Sequence, residues 1–97
     1  MKNGYWVVAY RSISDEAAVT AYGALAGPAL RAAGGRLLTS SKSQLQIHEA
    51  GLQQRVIVVE FDSYDLALAA YTTDAYKKAL EALGSGAERD FRIVEGA

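Results

Sequence analysis

The chain contains no cysteine and only one histidine and one proline in 97 residues. Without cysteine there is no disulfide, no thiolate nucleophile and no Cys-based metal site. One histidine among scattered carboxylates does not make a metal-ligand set, so no metal is expected. Charge of neither sign dominates: the net charge is −1 and there is no basic block. Phosphate neutralisation needs a concentrated positive surface, so nucleic acid is not an expected partner. Long apolar runs are missing as well. The first, residues 5–10, is too short for the apolar region of a signal peptide and far too short to cross a membrane. A soluble cytoplasmic protein with no membrane partner is the expectation. Gly-x-Ser-x-Gly, paired-carboxylate and dinucleotide fingerprints are absent. Gly34-Gly35 is not followed by a helix and is not a phosphate loop. Linkers, low-complexity segments and repeats are also absent.

What remains is a folding composition, 51% apolar and 22% charged, in a length that allows one domain spanning residues 1–97. Residues 55–62 are the most informative stretch. All of Val56 to Phe61 except Glu60 is apolar and mostly β-branched, which describes a strand covered on both faces. Residues 5–10 form a second such strand, with Tyr5, Val7 and Ala9 on one face and Trp6, Val8 and Tyr10 on the other. Residues 36–40 read as a shorter strand. After a turn at residues 41–43, residues 44–49 alternate polar and apolar, as an edge strand with one wet face does. The two pieces together predict one interrupted edge strand. Residues 90–95 close the chain as a further alternating strand.

Between the strands lie helical patterns. Ser12 or Ser14 can cap a helix whose first turn carries Asp15 and Glu16. Its apolar spacing runs through about Ala33, with a kink or break expected at Gly27-Pro28, and Gly34-Gly35 ends it. Asp62 and Ser63 offer caps for a second helix. Thr72-Thr73-Asp74 signals a third, over residues 75–83.

The order β-α-β, β-α-β predicts an α+β, ferredoxin-like fold with an antiparallel four-stranded sheet. The two apolar strands should be the central pair and the half-polar ones the edges. Helices can cover only one face of such a sheet, yet both central strands are apolar on both faces. A second copy of the sheet is the simplest cover, so a homodimer is expected.

Several stretches carry a resemblance: Gly4-Tyr5-Trp6-Val7-Val8, Gly34-Gly35-Arg36-Leu37-Leu38, residues 55–61, residues 67–71 with Asp74-Ala75-Tyr76, and Asp90-Phe91-Arg92-Ile93-Val94-Glu95-Gly96. Together they resemble the family called domain of unknown function 1330, over nearly the whole chain. The resemblance implies ferredoxin-like domains pairing as dimeric α/β barrels, without an established biochemical role. Related barrels include cofactor-free monooxygenases, small-molecule isomerases and stress-related proteins, which hold small, often aromatic, ligands between sheet and helices. Such likeness speaks to fold more than to activity. This chain lacks the Trp and Pro expected in the turn at residues 50–54, and has Leu83 where an Arg is expected.

Two functional readings follow. In the first, a cofactor-free pocket between sheet and helices takes a small planar molecule, aromatic or acidic. It would be lined by Tyr22, Tyr71, Trp6 or Tyr10, with Glu60 and Arg36 as polar anchors and an isomerase or oxygenase as the reaction class. Glu60, buried in a cavity, would have a raised pKa suited to proton transfer. Paired instead with Arg11, Arg36 or Arg92, it would be structural. His48 is the other candidate base, since only histidine titrates near neutrality unperturbed, but its place on the wet face of an edge strand suits a surface or interface residue. In the second reading the aromatics only pack a non-enzymatic homodimeric module, structural or stress-related, with no ligand pocket.

Overall fold

A computed structural model of the protein describes residues 2–97. Seven elements follow one another: β1 (Gly4–Ile13), α1 (Glu16–Ala32), β2 (Arg36–Leu37), β3 (Val56–Phe61), α2 (Tyr64–Tyr71), α3 (Asp74–Leu83) and β4 (Ala87–Glu95). The strands form one antiparallel sheet in the order β2-β3-β1-β4. β1 and β3, the two β-branched runs, lie at the centre as their composition required. The fold is α+β and ferredoxin-like, with the second helix of the plan divided into α2 and α3.

Strand alternation sorts the two sheet faces. Trp6, Val8, Tyr10, Val59 and Phe61 turn toward the helices and are buried there with Tyr22, Ala26, Ala67, Ala70, Tyr76 and Ala79. Tyr5, Val7, Ala9, Val56, Val58 and Glu60 turn the other way, onto a face that no helix covers, and are half-buried in the single chain. At the core's centre stands Trp6, 1% exposed, its indole N–H donating to the Ala67 carbonyl at 2.8 Å. The rings of Phe61, Tyr76 and Phe91 surround it at 5.0–5.3 Å. Trp6 therefore fills the core and does not line a cavity.

The caps of α2 and α3 fall where the sequence placed them: Ser63 accepts from the Leu66 N–H and Thr73 from the Tyr76 N–H. Three local expectations are corrected. The first helix is capped by Asp15, not by Ser12 or Ser14, because β1 continues to Ile13 through a register shift against β4. Gly27-Pro28 does not break α1, which is continuous through Pro28. Part of the clash that disfavours a helical residue before proline involves that residue's Cβ, and Gly27 has none. Neighbouring Ala26 and Ala29 are buried in the core and hold the turn in place.

The third correction concerns the edge strand, which is two residues long, and residues 44–49 are not a strand. Beyond Leu37, Leu38 N–H donates to the Val58 carbonyl. The Thr39 hydroxyl then accepts from Val58 N–H and donates to the Val56 carbonyl. A side chain thus occupies the edge of β3 where a longer backbone strand would pair.

Candidate functional site

A cavity of 420 Å³ lies between α1 and the helix-facing side of the sheet. Its floor is the buried surface of Val8, Tyr10 and Val59 from the sheet and Tyr22 and Ala26 from α1. Exposed Glu16, Thr20, Leu37, Ser40 and Ser41 form the rim. Small residues on one side of α1, namely Gly23, Ala26 and Gly27, leave the helix thin where it faces the sheet. A Cβ placed on Gly23 would meet nothing within 4 Å.

The polar equipment of this apolar space is mostly cationic. Arg89 of β4 reaches in from the far side of β1. Its guanidinium carbon lies 4.7 Å from the Tyr22 ring centre, 5.3 Å from that of Phe91 and 5.5 Å from that of Tyr10. Arg55 lies over the Tyr10 ring from the loop side, also at 5.5 Å. It meets Glu16 at 3.8 Å across the rim. Arg89, by contrast, forms no ion pair with another described residue, and the hydroxyls of Tyr22, Tyr76 and Tyr10 are its polar neighbours. Arg89 lines the cavity, and no buried side-chain nitrogen lacks a partner among those residues.

Burial acts to lower the Arg89 pKa, but the phenolic oxygens of Tyr22 and Tyr76 outweigh it and the guanidinium stays protonated. Burial pushes the Tyr10 phenol up against the pull of Arg89 and Arg55. Tyr76 lies behind Tyr22, and their hydroxyl oxygens are 2.7 Å apart. Burial, reinforced by Tyr22, drives the Tyr76 phenol far above its ordinary value. The arrangement is a donor-rich, aromatic-walled slot with no carboxylate at its inner end.

Of the residues proposed from sequence, Tyr10 and Tyr22 line the cavity. Tyr71 lies on the other side of the Trp6 cluster, 6.1 Å from the Trp6 ring and 5.2 Å from Phe91, and is 37% exposed. His48 sits in the exposed loop between β2 and β3, on no strand and away from the cavity. Glu60 and Arg36 are brought together, but on the uncovered sheet face. There Glu60 accepts from Asn3 Nδ2 and the Tyr5 hydroxyl, each at 3.0 Å, and meets Arg36 at 3.1 Å. Arg36 also reaches Asp62 at 2.9 Å. The Asn3 amide first, then Tyr5 and Arg36, hold the Glu60 carboxyl below its ordinary value. The expectation of a raised pKa is thereby reversed, and Glu60 and Arg36 are not anchors of the cavity.

Arg89 was the residue missed. A strand beginning at Asp90 leaves it in a loop, whereas β4 begins at Ala87. On that longer strand Arg89 shares the helix-facing side with Phe91 and Ile93. A lone arginine on an apolar strand face is the signal that points to it.

A model of the family described as Domain of unknown function (DUF1330) matches residues 3–97. The chain belongs to this family. No curated protein matches it. Among solved structures, this DUF1330 chain is similar to RPA0582, a protein of unknown function from Rhodopseudomonas palustris. That match has a TM-score of 0.74 at 14% identity and covers 99% of this chain and 83% of the other. It is also similar to a candidate antibiotic biosynthesis monooxygenase from Caulobacter crescentus, with a TM-score of 0.60 at 16% identity, covering 99% and 92% of the two chains. These likenesses establish the DUF1330 chain's fold.

Proposed function

We propose that this protein binds a small organic anion with a flat or narrow apolar body in the cavity between α1 and the sheet. One observation carries the reading: Arg89 presents a partly buried cation to an apolar space and has no acidic partner. Charges withdrawn from water are as a rule paired. Stacking on Tyr10, Tyr22 and Phe91 offsets part of the desolvation, about 0.5–2 kcal/mol per contact. The neutral phenols beside it do not balance the charge, and its five N–H donors are more than they use, which leaves donors for an anion. The cavity's volume, 420 Å³, falls within the range of about 300–1,000 Å³ typical of small-molecule sites. A filled module with no pocket does not have this feature.

The binding unit is a homodimer joined through the uncovered sheet face. Val7 and Val58 are register partners there, as are Ala9 and Val56, and they make an apolar centre. The Arg36–Glu60–Asp62 cluster flanks it at one end and the Arg11–Asp90–Arg92 cluster at the other. A patch with both charge signs at each end complements a rotated copy of itself, as an isologous dimer requires. Glu60 is then an interface residue.

A thermal-shift screen of aryl and alkyl carboxylates beside their amides tests the binding claim. Carboxylates should stabilise the wild type and leave Arg89→Met unmoved. Equal stabilisation by acids and amides, or none by any acid, would refute it.

A further inference from the structure

Resting on the cavity reading above, we propose that the ligand's anionic group is a carboxylate shared between Arg89 and the Tyr22 hydroxyl, with Tyr76 as the positioning residue that aims the Tyr22 proton at it. The argument begins with the 2.7 Å contact between the two hydroxyls. Either oxygen of such a pair can be the donor when both are wet. Here they are not equivalent. Tyr76 is 0% exposed and does not line the cavity. Among the described residues the Tyr22 hydroxyl is the one acceptor for its hydrogen, since Arg89, also beside it, can only donate. If Tyr22 donated to Tyr76, the Tyr76 hydrogen would be buried without an acceptor, which is costly. Tyr76 therefore donates and the Tyr22 oxygen accepts.

That direction frees the Tyr22 hydrogen. Tyr22 lines the cavity, and its hydroxyl meets no acceptor besides Tyr76 among the described residues. Its hydrogen is thus available to the space that Arg89 also lines. The Arg89 guanidinium lies over the same Tyr22 ring, at 4.7 Å. Arg89 and Tyr22 thus border one space, and among the described residues no carboxylate faces them at its inner end. A group offering only oxygen lone pairs fits that end, whereas a primary amide would set its own N–H against two donors. The bond Tyr22 receives from Tyr76 further polarises the one it gives, since chained hydrogen bonds strengthen each other. Tyr76 acts on the ligand only through Tyr22.

The test is a calorimetric titration of the wild type, Tyr22→Phe, Tyr76→Phe and the double variant with 1-naphthoate and with 1-naphthamide. Tyr22→Phe should weaken naphthoate by about tenfold or more, the usual loss for a hydrogen bond to a charged group, and naphthamide little. Tyr76→Phe should weaken naphthoate by a smaller factor, about two- to fivefold, and naphthamide not at all. The double variant should match Tyr22→Phe, because the two hydroxyls act in series. It also leaves no orphaned hydroxyl, so it folds even where Tyr22→Phe alone is weakened. A Tyr76→Phe protein that loses acid and amide equally would make Tyr76 a packing residue and overturn the assignment. If all three variants keep wild-type affinity for naphthoate while Arg89→Met loses it, the shared carboxylate is refuted and the cavity reading stands. A wild type that does not bind naphthoate removes the cavity reading itself.

Discussion

Replacing Gly23 with alanine separates what this helix does for stability from what it does for the cavity. Glycine inside a helix is about 1 kcal/mol less favourable than alanine, because it gives up more backbone freedom on folding. That deficit is normally tolerated where a side chain would collide, but a Cβ on Gly23 meets nothing within 4 Å. Gly23→Ala should therefore stabilise the protein by about 1 kcal/mol and raise its melting temperature by about 4–8 °C, as expected for a chain of this size. The same methyl enters the space that Gly23 borders. Gly23→Ala should weaken 1-naphthoate and Gly23→Leu should abolish its binding. Thermal unfolding and calorimetric titration of the same samples read the two effects, which move in opposite directions. A Gly23→Ala protein less stable than the wild type would refute the open space, and a Gly23→Leu protein that binds as the wild type does would place the ligand elsewhere.

Other outcomes follow from the packing and the charges. Trp6→Ala should cost about 3–5 kcal/mol in urea denaturation, a large share of the 5–15 kcal/mol typical of a folded domain, whereas a loss under 1 kcal/mol would show that the aromatic cluster is not the core. Because the Glu60 pKa is lowered in the folded state, its stabilisation is present above the unfolded-state value and is lost as pH falls through the folded-state value. Glu60→Gln should thus be less stable than the wild type at pH 7, with the gap closing in acid; a gap independent of pH would contradict the sign. Val58→Lys puts a charge at the centre of the uncovered face, and sedimentation analysis should find a dimer for the wild type and a folded monomer for the variant; a monomeric wild type would contradict the proposed interface.

The fold was largely legible because its strongest signals are local and agree with one another. The runs at β1 and β3 are too apolar for an edge, and Ser63 and Thr73 cap their helices where their sequence neighbours suggest. Signals that depended on a second element were misread. Residues 44–49 alternate as a strand does, but Thr39 occupies the β3 edge they would need. Pro28 reads as a breaker until Gly27 before it and the core packing of Ala26 and Ala29 are considered together. For the site, composition pointed to aromatic residues near a charge and found Tyr10 and Tyr22. It chose the wrong charges because the face on which Glu60 stands is decided by which side the helices pack, a property of topology. Arg89 lay one residue outside the sequence-predicted strand, and that boundary concealed an arginine among apolar neighbours.

The most direct test of an organic-anion site built around Arg89 is the affinity of 1-naphthoate for the wild type and for Arg89→Met, with 1-naphthamide as the neutral control. The expected result is saturable binding of the acid to the wild type, at least about tenfold weaker in the variant, and little binding of the amide to either. Undiminished binding of naphthoate to Arg89→Met, or equal binding of acid and amide by the wild type, would contradict it.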